Sequence, residues 1–490
     1  MLEAPAEIVM NLCDLNVSSL AYNSKDVNDG AAFFAIDGYK EDGNLYAKEA
    51  IVKGAKVIIT DDARKLDDIE CDKVEIIEVS DVRKTLANLS CEFYNNPSEE
   101  LQVIGVTGTK GKTSVTFMVR NILETAGIKT GIIGTVVWGF EGHFEKAKGT
   151  TPQSLDIQRM MRQMVDAGCK ALVMEVSSQG LMQSRVDGIE FNIGVFTNIS
   201  PDHIGSGEHR DFEDYLRWKC HLFDISNRII VNGNDIHWQE ALRKHKLKNL
   251  ITFGKDEDLD LKYELDRFFI ENSKLKTAFR VYGKKPYGNL IYKSLEIPLP
   301  GEFNVENALA AISTARALGI PWDIIEQGLK TVKIPGRTEI VDLDNNLITM
   351  IDYAHNGISL ENLLISLKQY NPSRLIVVFG CGGNRDKCRR YEMGKKAYDL
   401  ADFIIITSDN PRNEDPENII KDITSVMSFC HKVILAIPDR RMAIKRAIEE
   451  GRSGDIIVIA GKGHETYQII GDKIVHFDDK EAVLSCRKEQ

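Results

Sequence analysis

The sequence predicts an α/β protein of three domains, with mostly parallel sheets that are covered by helices on both faces. Short apolar runs recur along the chain and alternate with helical stretches, as is typical of strands buried in a parallel sheet. The 490 residues also exceed what one hydrophobic core usually accommodates. Polar or glycine-rich clusters follow many of the apolar runs, and ligands of such sheets bind at that edge.

Three blocks are expected, at residues 1–98, 99–335 and 336–490. A new apolar run at Leu101 opens the second block, and the Pro-Gly pair at 335–336 interrupts the pattern before the third. The strand candidates are residues 32–36, 56–60 and 74–79 in the first block, 103–106, 171–174 and 193–196 in the second, and 347–351, 375–379, 403–406 and 456–459 in the third.

Composition and charge argue against several classes of protein. The hydrophobic content of 43% and the charged content of 28% are those of a globular protein. A net charge of −11 argues against nucleic-acid binding. No apolar run approaches the roughly 20 residues of a membrane span, and the N-terminus lacks a basic signal-peptide region, so a cytoplasmic protein is expected. The nine cysteines lack CxxC spacing and are expected to be small core residues.

A phosphate-binding loop is predicted at residues 107–114, TGTKGKTS, between the strand candidate 103–106 and a predicted helix over 115–126. Glycines let backbone N–H groups face phosphate oxygens, and the helix N-terminus adds partial positive charge. Lys112 is expected to reach the β- and γ-phosphates of ATP, and Thr113 to ligate Mg²⁺. The strict Walker pattern would require glycine at position 106, where the chain has valine. The alternative is a glycine-rich turn with a surface lysine.

Charged residues at two other strand ends suggest a metal site. Glu175 ends an apolar run and needs a partner, for which Mg²⁺ is a candidate. Asp202 and His203 follow the run 193–196, although a lone histidine there is more often an ordinary loop residue. Spacing alone indicates that Lys219, in a helical stretch with aromatic neighbours, is a surface lysine.

The motifs taken in order resemble those of the Mur ligases, and within them the MurE-type branch, over essentially the whole chain. They are TGTKGKTS at 107–114, GTTPQSL at 149–155, MEVSSQGL at 174–181 with QSR at 183–185, FTNISPDH at 196–203, the helix lysine 219, EFNVENALAA at 302–311, PGRTE at 335–339, DYAHN at 352–356, GCGGNRD at 380–386, SDNPR at 408–412 and GKGHE at 461–465.

The resemblance implies a uridine-nucleotide-binding N-terminal domain, a central ATPase domain of the P-loop type and a C-terminal Rossmann-like domain that binds an amino acid. It implies that ATP phosphorylates the D-glutamate carboxylate of UDP-MurNAc-L-Ala-D-Glu and that an amine attacks the acyl phosphate, in peptidoglycan precursor synthesis. Mg²⁺ and a carbamylated Lys219 are the implied cofactors. A monomer is expected.

The resemblance also assigns roles to individual residues. The ATP contacts are Gly108, Thr109, Lys110, Gly111, Lys112, Thr113, Ser114, Asn307, Arg337, Asp352 and His355. The contacts to the UDP-MurNAc-dipeptide are Ser24, Thr150, Thr151, Ser177, Gln183 and Arg185. The metal ligands are Thr113, Glu175, His203 and carbamylated Lys219, and the catalytic residues are Lys112, Lys219, Glu175 and His203. The amino-acid contacts are Arg385, Asp409, Asn410, Pro411, Arg412, Gly461 and Glu465.

The motif SDNPR implies that meso-diaminopimelate is the added amino acid, because an arginine fork can bind the second carboxylate that lysine lacks. Alternatives are the same ligase adding L-lysine or another amine, a divergent paralogue acting on a related acid, a folylpolyglutamate- or cyanophycin-type ligase, and a non-enzymatic ATP-binding protein. Departures from the family pattern are Lys110 for the usual Asn, Asn23 and Lys25 beside Ser24, Gln179 for the usual His, and the stretch 204–209.

Overall fold

The computed structural model describes residues 15–38, 41–67, 69, 74–202, 204–205, 208–243, 245, 249–283, 291–341, 347–427 and 432–487. The chain forms two compact units. The first contains Met1–Asp256 and Ala310–Ile320, and the second contains Glu257–Leu309 and Pro321–Gln490.

The first unit begins with a parallel sheet in the order β1-β2-β3-β4. Its strands are β1 (Ser19–Ala21), β2 (Ala31–Phe34), β3 (Val57–Thr60) and β4 (Glu75–Glu78), and its helices are α1 (Ala47–Val52) and α2 (Val82–Phe93). Phe33 and Phe34 are both buried but belong to different core clusters, Phe33 with α1 and Phe34 with α2. Apolar side chains on successive residues of β2 therefore fill both faces of the sheet.

The second sheet of this unit has the order β12-β11-β10-β5-β9-β6-β7-β8. Its strands are β5 (Gln102–Thr107), β6 (Thr130–Ile133), β7 (Val137–Phe140), β8 (His143–Lys146), β9 (Ala171–Glu175), β10 (Ile193–Phe196), β11 (Ile229–Asn232) and β12 (Leu250–Gly254). Among the described pairings of these eight strands, only those of β6 with β7 and of β7 with β8 are antiparallel. The helices are α3 (Lys112–Thr125), α4 (Ser154–Asp166), α5 (Ser178–Met182), α6 (Phe212–Asp224) and α7 (Trp238–Leu242).

Strand β5 lies between β10 and β9, so the carboxyl ends of these three parallel strands lie side by side. Val106 is paired with both Glu175 and Val195, which places the start of the phosphate loop, Glu175 and the end of β10 at one edge. A Cβ on Gly105 would lie 2.7 Å from the ring of Phe191, so the centre of β5 accommodates no side chain there.

The second unit contains an antiparallel meander and a mostly parallel sheet. The meander is β13 (Leu261–Glu271), β14 (Lys274–Gly283) and β15 (Ile291–Ile297). The sheet has the order β16-β17-β21-β18-β19-β20, from β16 (Glu339–Val341), β17 (Ile348–Asp352), β18 (Leu375–Phe379), β19 (Phe403–Ile406), β20 (Val433–Ala436) and β21 (Ile456–Ala460). Within this sheet only β16 is antiparallel to its neighbour.

The helices of the second unit pack on both faces of this sheet. The buried side chains of its strands divide between two core clusters, and each cluster also contains side chains from a different set of helices. The helices are α10 (Gly357–Lys368), α11 (Cys388–Leu400), α12 (Pro416–Thr424), α13 (Arg440–Glu450) and α14 (Asp479–Arg487). Helix α8 (Glu302–Ala317) begins in this unit, α9 (Trp322–Thr331) follows it, and β22 (Tyr467–Ile470) pairs with β23 (Lys473–His476) as a hairpin.

The predicted fold class and all ten strand candidates are confirmed, with boundaries shifted by at most two residues. Helix α3 begins at Lys112, three residues earlier than expected, because Gly111 with φ +86° forms the turn into it. The meander β13–β15 did not emerge from the sequence pattern. Of the six cysteines described, five are buried as expected and Cys388 is exposed. Among the described residues, no helix is long and apolar enough to cross a membrane.

A buried ion pair joins α13 to α14. Arg440 donates two hydrogen bonds of 2.7 Å to Asp479, and both side chains are fully buried. Asp479→Ala would leave an uncompensated buried guanidinium, so we expect it to lower the free energy of unfolding by about 3–5 kcal/mol. The matched control is Glu450→Ala in the solvent-accessible pair with Arg446, with an expected loss of about 0–1 kcal/mol. Urea denaturation measures both, and equal losses would contradict the prediction.

Candidate active site

The phosphate loop lies between β5 and α3 and is held in place by the residues that follow β10. Gly108 has φ +146°, and a Cβ there would lie 2.0 Å from the hydroxyl oxygen of Thr197. Asn198 accepts a hydrogen bond from the backbone N of Lys110 through its side chain, at 2.9 Å, and one from Thr109 N through its carbonyl, also at 2.9 Å. The motif at 196–203 therefore positions the loop.

Two lysine ammonium groups converge on the carbonyl oxygen of Gly108. The distance from this oxygen is 2.7 Å to Lys112 Nζ and 2.8 Å to Lys219 Nζ. Lys219 is 2% exposed and lies over the ring of Tyr215 at 4.6 Å, so the interpretation as a surface lysine is wrong. Burial, and then the charge of Lys112, hold the pKa of Lys219 well below its ordinary value of 10.5.

Glu175 is buried, and both of its carboxylate oxygens accept hydrogen bonds. Oε1 accepts from Thr113 Oγ1 at 3.0 Å and from the backbone N of Thr135 at 2.8 Å, while Oε2 accepts from Thr135 Oγ1 at 3.0 Å. Among the described residues, no group of three His, Cys, Asp or Glu could hold a metal ion. A buried carboxylate next to a threonine hydroxyl is nevertheless a ligand pair that suits a hard cation.

The threonine pair lies beside Glu175. The Oγ1 of Thr150 is 3.1 Å from that of Thr135, and Thr151 Oγ1 donates to the carbonyl oxygen of Glu175 at 3.0 Å. Arg185 donates to Thr151 O at 2.6 Å and also to Gln183 Oε1 at 3.1 Å. Ser177 caps helix α5 by accepting from Gly180 N at 3.0 Å. Five of the six residues assigned to the UDP-MurNAc-dipeptide therefore belong to one network.

The sixth residue, Ser24, lies in the first sheet's domain. Its hydroxyl donates to Glu49 at 2.9 Å, and its carbonyl accepts from Lys53 Nζ at 3.0 Å. Asn23 and Lys25, which flank Ser24, both depart from the family pattern. Asn23 caps a short 3₁₀ helix by accepting a hydrogen bond from Lys25 N at 3.0 Å. Asn23 and Lys25 therefore belong to one local turn.

The stretch after β10 contains the departure at residues 204–209. His203 lies outside the described residues, so its predicted role as a metal ligand stays a prediction. His209 is fully buried, with Nε2 2.8 Å from Ser178 Oγ and Nδ1 3.5 Å from Asp214. The altered stretch is thus attached to helix α5. Burial lowers the pKa of Lys110, and the charge of Asp202 opposes that shift. The unusual lysine of the phosphate loop therefore has an acidic counterpart in this stretch.

In the second unit, three residues that were assigned to ATP binding, Arg337, Asp352 and His355, lie close to the carboxyl end of β17. Asp352 accepts from the backbone N of Thr338 at 2.7 Å and of Ala354 at 2.8 Å, and burial raises its pKa while the charge of Arg337 opposes this. The guanidinium of Arg337 lies 4.5 Å from the ring centroid of Tyr353. The exposed His355 donates from Nδ1 to the carbonyl oxygen of Tyr353 at 2.8 Å.

Asn307 belongs to helix α8, also in the second unit. It is buried, and its amide donates to Asn304 Oδ1 at 3.2 Å. Asn304 in turn donates to the carbonyl of Pro300 at 2.8 Å. The motif at 302–311 therefore holds Asn307 at the start of the helix.

A second polar cluster joins SDNPR to GKGHE. Glu465 Oε2 accepts from Asn410 Nδ2 at 3.1 Å and from Lys462 Nζ at 3.0 Å, whereas no described residue donates to Oε1. Lys462 is fully buried. Asp409 is buried as well, which raises its pKa, while the charge of Lys462 opposes the shift. A Cβ on Gly461 would lie 2.9 Å from Asp409 Oδ2, so glycine permits this close approach.

Arg412 stands at the rim of this cluster with φ +53°, an uncommon value for a residue other than glycine. Its backbone is held by β22, because Arg412 N donates to Ile469 O at 2.9 Å and Gly471 N donates to Arg412 O at 2.7 Å. Its NH1 donates to Gly383 O at 2.7 Å. Arg385 is exposed in the loop after β18, and Pro411 is buried.

Three family models match successive parts of this chain. Residues 16–94 match the model described as Mur ligase family, catalytic domain; residues 106–315 match the Mur ligase middle domain; and residues 336–463 match the Mur ligase, glutamate ligase domain. The chain belongs to the Mur ligase family.

Relatives of this Mur ligase include the UDP-N-acetylmuramoyl-L-alanyl-D-glutamate–2,6-diaminopimelate ligase of Clostridium botulinum, 40% identical over 96% of this chain and 95% of the relative. A solved structure of a ligase with the same name is 29% identical, with a TM-score of 0.69 over 97% of this chain and 95% of that one. MurF from Thermotoga maritima in complex with ADP has the same fold, with a TM-score of 0.63 at 19% identity over 97% of this chain and 98% of that one.

Several residues of these clusters were not predicted as site residues. Thr135 holds Glu175, Asn198 holds the phosphate loop, and Lys462 holds Glu465. Asn198 and Lys462 lie inside motifs that were recognised, so each could have been found as a polar residue of its motif. Thr135 lies just after β6 and had no sequence signal beyond the position of that strand end.

Proposed function

We propose that this Mur ligase uses ATP to join meso-2,6-diaminopimelate to the D-glutamate carboxylate of UDP-MurNAc-L-Ala-D-Glu through an acyl phosphate. The observation that carries the proposal is the buried cluster at the carboxyl edge of the central sheet. There, two lysines meet at Gly108 O, and Thr113 meets Glu175. The name of the 40%-identical relative supports the choice of substrates.

The first half-reaction requires positive charge around the transferred phosphoryl group. The loop 108–114 would bind the phosphates through backbone N–H groups and the N-terminus of α3, and Lys112 would contact the β- and γ-phosphates. Thr113 and Glu175 would hold Mg²⁺, which neutralises the charge on the phosphate oxygens when bound. Asn307, Arg337, Asp352 and His355 would provide the remaining ATP contacts.

Lys219 suits carbamylation because a lysine must be neutral to react with carbon dioxide, and burial lowers its pKa. The neutral amine would form an N–C bond to carbon dioxide and release a proton to solvent, so that an anionic carbamate replaces the amine. This would relieve the repulsion between Lys219 and Lys112 and would add an oxygen ligand for a second magnesium ion. His203 would be a further ligand.

The acceptor amino acid would bind at the cluster of SDNPR and GKGHE. Glu465 would contact an ammonium group through Oε1, since Oε2 already accepts two hydrogen bonds. Arg412 and Arg385 would bind the carboxylate that distinguishes diaminopimelate from lysine. Asp409, Asn410, Pro411 and Gly461 would form the walls of this pocket. Ser24 and the network of Thr150, Thr151, Ser177, Gln183 and Arg185 would bind the UDP-linked substrate.

The substrate assignment is tested by measuring ADP release with diaminopimelate and with L-lysine in parallel. With UDP-MurNAc-L-Ala-D-Glu and ATP present, we expect diaminopimelate to be preferred at least about 100-fold in kcat/KM, since lysine has no carboxylate for Arg412 and Arg385 to bind. Mass spectrometry of the product identifies the tripeptide. Equal rates would contradict the specificity, and the absence of ADP release with any amine would contradict the ligase activity.

A further inference from the structure

Thr135 contacts both oxygens of Glu175 and also the hydroxyl of Thr150, so it connects two parts of the site. Its backbone N–H bonds to Oε1 and its hydroxyl to Oε2. Gly134 packs directly against the same carboxylate, since a Cβ at this position would lie 2.4 Å from Glu175 Oε1. The carboxylate is therefore fixed by residues 134 and 135 and by Thr113.

The direction of each hydrogen bond between Glu175, Thr135 and Thr150 follows from the number of protons that each group can donate. A hydroxyl group has one proton to donate, and a carboxylate only accepts. Because the proton of Thr135 is donated to Glu175 Oε2, the 3.1 Å contact between the two threonine hydroxyls requires Thr150 to be the donor. The oxygen of Thr150 then keeps a lone pair and acts toward a ligand as an acceptor.

The neighbouring Thr151 is different. Its hydroxyl donates to Glu175 O at 3.0 Å and accepts from Ser177 N at 3.0 Å, and the residue is 1% exposed. The proton and one of the two lone pairs of this hydroxyl are therefore used within the protein, and its burial leaves it inaccessible to a ligand. The two adjacent threonines therefore differ: Thr151 is buried and bonded to the backbone, whereas Thr150 is only partly buried.

We propose that Thr135 is a positioning residue that orients the carboxylate of Glu175 toward Mg²⁺ and makes Thr150 a hydrogen-bond acceptor for an N–H or O–H group of the UDP-linked substrate. The inference rests on the proposed function and deepens it. One hydroxyl group thereby couples the metal-holding carboxylate to recognition of the acid that is phosphorylated. Charge-assisted hydrogen bonds of this kind are stronger than neutral ones.

The test compares Thr135→Val, which removes only the hydroxyl from a side chain of similar shape, with Thr135→Ser, which keeps it. Calorimetry measures binding of β,γ-imido-ATP over a series of Mg²⁺ concentrations, and binding of UDP-MurNAc-L-Ala-D-Glu at saturating Mg²⁺ and nucleotide. For Thr135→Val we expect the half-maximal Mg²⁺ concentration and the Kd of the UDP-linked substrate each to rise about tenfold. Thr135→Ser should remain within about threefold of wild type in both measurements.

The matched control is Thr125→Val, because among the described residues the hydroxyl of Thr125 bonds only to the carbonyl of Asn121 within α3. It should leave both measurements unchanged. Wild-type values for Thr135→Val, or equal impairment of the valine and serine variants, would overturn the role of the hydroxyl. The nucleotide measurement needs no muramoyl substrate, so it tests Thr135 even if the wild-type protein binds that substrate poorly, which would contradict the proposed function instead.

Discussion

Replacing Lys219 with methionine should reduce ligase activity at least about 1000-fold and at the same time increase the free energy of unfolding. The amine is buried beside Lys112, and its lowered pKa reflects the cost of keeping a charge there. Methionine fills a similar volume without that cost. Activity falls because the variant lacks the group that, as a carbamate, would hold the second magnesium ion.

Two measurements separate this role from a structural one. Steady-state ADP release gives the activity, and urea denaturation in carbon-dioxide-free buffer gives the stability of the uncarbamylated protein. Addition of short carboxylates to Lys219→Ala should restore part of the activity. Lys330→Met, on the exposed face of α9, is the control and should keep full activity. Full activity of Lys219→Met would refute the assignment, as would a loss of activity that only follows a loss of stability.

Replacing Arg412 with lysine should raise the KM for diaminopimelate by about 10–100-fold while changing kcat little. Lysine keeps the positive charge but lacks the planar fork that binds a carboxylate with two hydrogen bonds. The backbone strain at φ +53° is the same for both residues, so the comparison isolates the head group. Use of L-lysine as acceptor should be unaffected, because it has no second carboxylate.

The measurement is steady-state kinetics with each amino acid, at saturating ATP and UDP-linked substrate. Arg446→Lys, a solvent-accessible arginine on α13 paired with Glu450, provides the control and should match wild type. An unchanged KM for diaminopimelate in Arg412→Lys would show that this arginine does not bind the distal carboxylate. An equal rise in the KM for both amino acids would indicate a disturbed pocket.

The sequence predicted ten of the parallel strands because most of them are short apolar runs that are buried on both faces. It did not predict the parallel strands β1, β6, β11, β12 and β20. It missed the meander β13–β15, whose strands mix charged and apolar residues, as in the burial pattern of β13. A strand with one solvated face gives only a weak alternation, and here a bulge at Leu265/Arg267 disrupts even that. The prediction of antiparallel strands from such segments therefore fails for a physical reason.

For the site, the motifs by themselves predicted a phosphate loop after β5 and a carboxylate at the end of β9. Both statements depend on local sequence, since a glycine-rich turn between strand and helix has few other uses. Spacing alone misplaced Lys219, because one turn of an amphipathic helix looks the same whether a long side chain reaches solvent or the core.

Only the tertiary structure decided which distant residues meet. Residues 108 and 219 are far apart in sequence, yet one carbonyl oxygen accepts hydrogen bonds from Lys112 and from Lys219. Thr135 reaches Glu175 because β6 lies next to β9 in the sheet. Local propensity specifies strands, turns and caps, whereas the order of strands sets which loop ends share an edge. The sequence thus indicated the kind of chemistry, and the packing of the sheet determined which hydroxyls and amines lie together.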